Sequence, residues 1–198
     1  MRLHKPLSGR HNKLGILAGS FNPPTVAHAE LARAAELHVD QLLFVVPGVL
    51  PHKPYFGATM EQRIEMLAAA DLSERYAIAT TERGLFIDIA HECLEASNAG
   101  TRLYFVCGRD AAERVLTWDY GRAGVVDEML KQFELLVAPR DGDFRPPAEF
   151  RHRIHLLGTR GGQDEISSTE VRERIARGDP WEHLVPQSIV DRVREIYS

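Results

Sequence analysis

Apolar positions along this chain fall into short continuous runs, separated by stripes with helical spacing. The runs predict six strands, over residues 14–17, 41–46, 75–81, 101–107, 133–138 and 153–157. The stripes predict helices between them, the first beginning at Thr25 and the last near Pro186. Because strands and helices alternate, we expect an α/β fold, with a Rossmann-like, doubly wound, mainly parallel sheet and helices on both of its faces.

Two helix starts carry a capping-box pattern, in which a hydroxyl residue is followed three positions later by Gln or Glu. One pattern covers Thr59–Gln62 and the other covers Ser167–Glu170. The helix after the second pattern is expected to run to about Arg177, because Gly178 and Pro180 follow it as stop signals.

Length, charge and cysteine content restrict the class of protein. The chain has 198 residues, a net charge of −4 and two cysteines. The length fits a single domain, placed at residues 14–198, and the basic residues 1–13 are expected to form a flexible N-terminal arm rather than a signal peptide. The charge argues against general nucleic-acid binding, and no apolar run is long enough to cross a membrane. Cys93 and Cys107 lack metal-ligand spacing, which favours a reduced, cytoplasmic protein.

Residues 15–28 have the pattern of a buried strand, a turn of small residues and a helix start. Gly19 and Ser20 let the backbone turn sharply and let a ligand approach. Thr25 fits the N-cap position, and His28 lies three residues later, so both side chains can share one helix end. A helix N-terminus offers unpaired N–H groups and partial positive charge, so this segment predicts a phosphate site.

Two motifs resemble a known superfamily. Thr25-Val26-Ala27-His28 resembles the His- or Thr-x-Gly-His signature of the nucleotidylyltransferases, with alanine for the usual glycine, and Asn22 stands where aspartate is common. The segment Ile166–Arg172 resembles the Ile-Ser-Ser-Thr-x-Ile-Arg motif of the nicotinate or nicotinamide mononucleotide adenylyltransferases almost letter for letter. The residues themselves also indicate an anion site, since a capped helix start presents N–H groups and Arg172 follows one turn later.

Further segments resemble this family at the ends of predicted strands, where doubly wound sheets bind ligands. Pro51-His52-Lys53 resembles its Pro-Pro-His-Lys segment, with Leu50 in place of the first proline. Gly108-Arg109-Asp110 resembles its Gly-x-Asp motif, and Trp118 matches a tryptophan that lies near the pyridine ring. Arg140 stands where the family often has Arg-Pro-Gly.

One segment departs from the family. After the third strand these enzymes carry a Ser-Tyr-Thr-x-Asp-Thr stretch that helps to hold the nicotinate carboxylate, and only Glu82 and Asp88 of that region remain here. Leu85 and Phe86 remove hydroxyl groups where a carboxylate would need donors, and an unpaired buried carboxylate is costly. The sequence therefore supports the ATP half of the site better than the acceptor half.

The resemblance implies transfer of AMP from ATP to nicotinate or nicotinamide mononucleotide, giving a dinucleotide and pyrophosphate in NAD biosynthesis. The catalytic residues it implies are His28, Thr25 and Arg172. The ATP contacts it implies are Gly19, Ser20, Phe21, His28, Gly108, Asp110, Arg140, Ile166, Ser167, Ser168, Thr169 and Arg172. The acceptor contacts it implies are Asn22, Lys53, Leu85, Phe86 and Trp118. Mg²⁺ is expected to arrive on the ATP phosphates rather than at a metal site of the protein.

The expected partners are ATP and a mononucleotide acceptor, without nucleic acid or membrane, in a monomer or small homo-oligomer. Three alternatives remain open at this point. The acceptor can differ, as with phosphopantetheine or with CTP acting on a sugar or alcohol phosphate. A dinucleotide-binding oxidoreductase would need Gly-x-Gly-x-x-Gly after the first strand, which the residues from Gly19 onward lack. A non-catalytic nucleotide sensor of the same fold is the third.

Overall fold

A computed structural model describes residues 1–49, 57–73, 75–139, 144–158 and 166–198. The sheet has seven strands in the order β1-β4-β3-β2-β5-β6-β7, and every neighbouring pair is parallel except β1 with β4. The strands are β1 (Arg2–Lys5), β2 (Lys13–Ala18), β3 (Gln41–Pro47), β4 (Tyr76–Thr81), β5 (Arg102–Gly108), β6 (Phe133–Ala138) and β7 (Ile154–Leu156). The expectation of a mainly parallel, doubly wound sheet is confirmed.

The described residues contain seven α-helices, of which the first five lie between strands in the sequence and the last two follow β7. They are α1 (Val26–Ala35), α2 (Met60–Ala69), α3 (Phe86–Ala96), α4 (Arg109–Thr117), α5 (Val125–Gln132), α6 (Ser168–Arg177) and α7 (Val190–Tyr197). None of the helices in this part of the chain has the length and apolar character needed to span a membrane.

The sheet is buried on both faces, and the alternation of side chains along its strands shows this directly. In β3, Leu42 and Phe44 point into one core while Leu43 and Val45 point into the other. The first core contains buried residues of α1, α2, α6 and α7, and the second contains those of α3, α4 and α5. Continuous apolar runs are the pattern expected of parallel strands covered by helices on both sides.

The edge strand β1 was not predicted. Residues 1–13 were expected to be a flexible arm, but Arg2–Lys5 pair with β4 in antiparallel register, with Arg2 opposite Thr80. The prediction is wrong for this part of the arm. The side chains of β1 are mostly exposed, so the strand lacks the apolar pattern by which the other strands were found.

The strand order places a ligand-binding edge between β2 and β5. From β2 the chain moves outward through β3 to β4, and from β5 it moves in the opposite direction through β6 to β7. The order therefore reverses between these two neighbouring strands, and in such sheets ligands bind at the carboxyl ends on either side of the reversal. Gly19 and Gly108, both predicted to contact ATP, stand at those two ends.

Candidate active site

The turn after β2 is held against the core by Phe21. This residue has a positive φ of 44° and a fully buried ring, which lies 5.0 Å from the His28 ring and 5.7 Å from the Phe44 ring, measured between centroids. Gly19 donates its N–H to Val45 O at 3.1 Å, which fixes the start of the turn. The predicted ATP contact of Phe21 is corrected in one respect, because its buried side chain supports His28 and only its main chain can meet a ligand.

The start of α1 sets the orientation and tautomer of His28. The N–H of Thr25 donates to His28 Nδ1 at 3.0 Å, and Thr25 Oγ1 lies 2.7 Å from the same nitrogen. Because Nδ1 accepts a hydrogen bond from a main-chain N–H, the ring is a neutral imidazole with its proton on Nε2. Thr25 is itself fully buried, so the side chain of this residue, predicted to be catalytic, contacts His28 and is not open to a ligand.

The start of α6 is tied directly to the turn that follows β2. Ser167 caps the helix by accepting from Glu170 N at 3.1 Å. Ser168 Oγ donates to Pro23 O at 2.7 Å, and Arg172 Nη1 donates both to Asn22 O and to Ser168 O, the latter at 3.0 Å. The segments with the His28 motif and the Arg172 motif are therefore in contact, although about 140 residues separate them in the sequence.

This junction has the electrostatic character of an anion site. The helices α1 and α6 both begin there, and the N-terminus of each carries partial positive charge. Arg172 adds a full charge, and burial lowers the pKa of its guanidinium, because desolvation disfavours the charged form. The described residues contain no cluster of three His, Cys, Asp or Glu side chains that could hold a metal ion. The junction therefore offers hydrogen-bond donors and positive charge, which are the groups that bind a polyphosphate.

Comparison with known proteins identifies the family. A family model described as cytidylyltransferase-like matches residues 16–174, a range that contains the strands from β3 to β7, both helix starts and the turn between β2 and α1. This chain belongs to the cytidylyltransferase-like family. The match covers most of the chain, and its two ends fall in β2 and in α6, the elements that form the junction.

Two relatives to which this chain is similar carry the same name. A probable nicotinate-nucleotide adenylyltransferase of Moorella thermoacetica is 31% identical over 203 residues, which cover 93% of this chain and 90% of the relative. A probable nicotinate-nucleotide adenylyltransferase of a Thermoanaerobacter species is 31% identical over 196 residues, covering 91% and 90%. The solved Plasmodium falciparum nicotinic acid mononucleotide adenylyltransferase complexed with NaAD superposes with a TM-score of 0.69 at 17% identity, covering 93% and 96%, which shows a shared fold.

The remaining predicted ATP contacts of this cytidylyltransferase-like chain lie near the carboxyl ends of the strands. Gly108 ends β5 and is the N-cap of α4, so Asp110 falls in the first turn of that helix with an exposed side chain. Ile166 packs against the first core just before α6. The predicted contacts Lys53 and Arg140 lie outside the described residues.

Two of the predicted acceptor contacts have other roles in the structure. The Phe86 ring stacks on Phe105 with centroids 4.3 Å apart, so it belongs to the second core. Asn22 is buried, and its Oδ1 accepts from Ala58 N at 3.3 Å and from the Tyr197 hydroxyl. Both side chains therefore have partners within the protein, and their contact with an acceptor stays a prediction.

The other acceptor predictions fall at the surface of the site. Trp118 directly follows α4 and is 37% exposed, which leaves its indole open to a ligand ring. Leu85 is the N-cap of α3 and forms no side-chain cap with the helix. The first main-chain N–H groups of α3 therefore have no hydrogen-bond partner from that side chain.

One residue of the site was missed. Tyr197 was not among the predicted site residues, yet its hydroxyl reaches Asn22 in the turn that precedes His28. The sequence of α7 contains no signal for this contact, because the partner lies 175 positions away.

Proposed function

We propose that this protein transfers the AMP group of ATP to nicotinate mononucleotide, giving the dinucleotide and pyrophosphate. The observation that carries the proposal is the pair of hydrogen bonds from Arg172 and Ser168 to the main-chain oxygens of Asn22 and Pro23. These bonds join the helix start that carries His28 to the helix start that carries Arg172. The relatives at 31% identity bear the corresponding enzyme name.

In the proposed reaction, an oxygen of the acceptor phosphate attacks the α-phosphorus of ATP. A bond forms between that oxygen and the phosphorus, the bond from the phosphorus to the bridging oxygen of the β-phosphate breaks, and pyrophosphate leaves with the bonding electron pair. No covalent intermediate with the protein is required. Both reactants are anions, so the protein contributes mainly positioning and stabilisation of charge.

His28 is the residue placed to stabilise the transferring phosphate. With Nδ1 accepting from Thr25, the Nε2–H is the donor that can bond a non-bridging oxygen of the α-phosphate. This bond strengthens as charge develops on that oxygen in the transition state. His28 therefore acts as a hydrogen-bond donor, with no proton transfer needed for the electron balance of the step.

The start of α6 is placed to hold the leaving pyrophosphate. The Ser168 hydroxyl donates its hydrogen to Pro23 O and therefore cannot donate it to a phosphate. The main-chain N–H of Ser168 is the donor that remains for the predicted phosphate contact. Ser167 Oγ accepts from Glu170 N, and Thr169 Oγ1 accepts from Arg172 Nη2 at 3.2 Å, so both hydroxyl hydrogens can turn toward a phosphate. Arg172 supplies the charge beside them.

Mg²⁺ fits this site only as part of the nucleotide. Serine and threonine hydroxyls and a guanidinium line the junction, and the described residues bring no three His, Cys, Asp or Glu side chains together to hold the ion. The ion would therefore be held by the ATP phosphates and water, where it neutralises charge on the polyphosphate.

The start of α3 favours an acceptor with a carboxylate. Its first main-chain N–H groups have no cap from the Leu85 side chain, whereas the charge of Arg83 is offset by Asp88 of the first turn, 3.2 Å away. Partial positive charge at a helix N-terminus favours an anion over a neutral amide. We therefore propose nicotinate mononucleotide as a better acceptor than nicotinamide mononucleotide.

The experiment is a product assay with purified protein, ATP and Mg²⁺. Nicotinate mononucleotide, nicotinamide mononucleotide and phosphopantetheine are offered separately, and CTP with sugar phosphates forms a fourth arm. We expect pyrophosphate release and a dinucleotide of the correct mass with nicotinate mononucleotide, and slower release with the amide. Turnover confined to another acceptor, or ATP binding without pyrophosphate release in every arm, would contradict the proposal.

The buried thiols support a proposed cytoplasmic location. Cys93 and Cys107 are free and buried in the second core, as expected of a protein that functions in a reducing compartment. The monomer or small homo-oligomer expected from the sequence remains a proposal that sedimentation can test.

A further inference from the structure

A hydrogen-bonded junction beneath the candidate active site joins four separate segments of the chain. Asn22 lies at its centre, in the turn between β2 and α1. Its main-chain oxygen accepts from Arg172 of α6, and its side-chain Oδ1 accepts from Ala58 N and from the Tyr197 hydroxyl of α7. The turn that leads to His28 is therefore held by hydrogen bonds from α6 and from the last helix.

The direction of the bond from Tyr197 follows from its neighbours. The main-chain N–H of Ala58 points at one atom of the Asn22 amide, at 3.3 Å, so that atom must be the oxygen. An amide oxygen only accepts, so the Tyr197 hydroxyl donates to it. Burial raises the pKa of this phenol above its ordinary value, so the donor is protonated at neutral pH.

The surroundings of Tyr197 are shaped for this contact. Gly57 has a φ of +81°, and a Cβ at this position would lie 3.2 Å from Tyr197 Cε1 and 3.3 Å from Asn22 Oδ1. The absence of a side chain is what lets the tyrosine ring reach the asparagine. Ala58, the next residue, is fixed in turn because its oxygen accepts from Arg63 Nε at 2.9 Å and from Arg63 Nη2 at 2.7 Å.

The helix that carries Tyr197 is itself firmly placed. Val190 and Val193 of α7 are buried in the first core, and Arg192 forms an ion pair with Glu65 of α2. The packing of α7 therefore fixes the position of Tyr197, and the hydrogen bond to Asn22 couples that position to the turn before His28.

We propose that Tyr197 is a positioning residue for nucleotidyl transfer, which acts through Asn22 to hold the turn before His28 in register with Arg172. The inference rests on the proposed function and extends it to a residue that touches neither substrate. Without the Tyr197 hydroxyl, Asn22 Oδ1 loses one of its two hydrogen-bond donors, and the turn can shift relative to α6. A displacement of about 1 Å at a phosphate-transfer site can cost on the order of a hundredfold in rate.

The test compares Tyr197→Phe with Tyr76→Phe. Both variants lose one phenolic hydroxyl, and Tyr76 donates to the main-chain oxygen of Ala68 at 3.0 Å at the opposite, amino end of its strand. We expect Tyr197→Phe to lower kcat by about tenfold with KM values changed less than about threefold, and Tyr76→Phe to leave kcat within about twofold. If the two variants have equal kcat values and lose similar amounts of Tm, Tyr197 contributes only to stability, and the proposal is overturned.

A double-mutant cycle tests the route through Asn22. If Tyr197 acts through this side chain, Tyr197→Phe should lower kcat by less than about twofold when added to Asn22→Ala. In an Asn22→Asp background, which keeps an acceptor at the same place, Tyr197→Phe should still carry its full penalty. Additive losses of kcat with Asn22→Ala would contradict the proposed route.

Amide hydrogen exchange separates this proposal from the proposed reaction. We expect Tyr197→Phe, and not Tyr76→Phe, to speed exchange in peptides that cover residues 19–25 and 57–58. If the wild-type protein yields no dinucleotide, the proposed function fails and this readout alone decides the positioning role. Unchanged exchange in Tyr197→Phe would then refute it.

Discussion

His28 shows how a hydrogen bond to one ring nitrogen determines the chemistry of the other. The Thr25 N–H binds Nδ1 at 3.0 Å, which selects the tautomer with a proton on Nε2 and turns the ring into a neutral donor. The Phe21 ring packs against the imidazole from the core side. A histidine three residues after the N-cap thus takes the place that Glu or Gln occupies in an ordinary capping box.

Replacement of His28 by alanine tests this role. We expect His28→Ala to lower kcat by about a hundredfold or more, because it removes a donor that bonds the phosphate most strongly in the transition state. Steady-state kinetics with ATP and nicotinate mononucleotide measure the effect. His38→Ala is the matched control, since His38 is exposed and follows the carboxyl end of α1. Near-normal turnover in His28→Ala would show that the ring does not contact the reacting phosphate.

At the scale of elements, α6 is a phosphate-binding helix that also supports a neighbouring turn. Arg172→Ala removes the charge and two contacts to main-chain oxygens. Hydrogen bonds to charged groups contribute about 1.5–3 kcal/mol each, so we expect binding of ATP and of pyrophosphate to weaken by about tenfold or more. Calorimetric titration with a non-hydrolysable ATP analogue measures this.

Arg177→Ala provides the comparison for that prediction. Arg177 lies at the other end of α6, is more than half exposed and pairs with Asp179 at 2.7 Å. Its replacement should leave ATP and pyrophosphate binding within about twofold of wild type, since an exposed pair contributes about 0–1 kcal/mol. Equal affinities in the two variants would place the phosphates away from the start of α6.

The strand β2 has no space for a side chain at Gly15. A Cβ there would lie 2.8 Å from Leu42 Cδ2 and 3.0 Å from Val39 Cγ2. We expect Gly15→Ala to lower the free energy of unfolding by about 1–3 kcal/mol through overpacking. Urea unfolding provides the measurement, with Gly158→Ala as control because a Cβ at Gly158 meets nothing within 4 Å. Equal stability of the two variants would mean that β2 can shift at little cost.

At the scale of the whole molecule, burial of the thiols links stability to pH. Burial raises the pKa of Cys93 and of Cys107 from 9.0 to about 12. Unfolded thiols therefore ionise first, so their contribution to stability is complete below about pH 9 and is lost as the pH rises toward about 12. Burial raises the pKa of Tyr76, Tyr104 and Tyr120 as well, which acts in the same direction.

We expect the urea midpoint to fall between about pH 8 and about pH 10.5. A Cys93→Ala, Cys107→Ala variant should show a smaller decline, because the thiols then no longer contribute to it. A midpoint that stays constant over this range, or an equal decline in the variant, would show that the buried thiols do not control alkaline stability.

The sequence by itself determined the parallel part of the sheet and the starts of the helices. Continuous apolar runs identify strands covered on both faces, and the caps at Thr25, Thr59 and Ser167 are local signals, which act between residues three positions apart. The motifs around His28 and Arg172 are equally local. For that reason they could be found, and their family named, before any tertiary contact was known.

Only the tertiary structure decided which of these local features meet. The polar edge strand β1 forms because β4 offers it an open edge, and Phe86 faces the core because Phe105 lies opposite. The bond from Tyr197 to Asn22 joins positions 175 residues apart, and the bond from Arg172 to Asn22 joins positions 150 apart. Such contacts depend on how the whole sheet and its helices pack, and no short stretch of sequence specifies that arrangement.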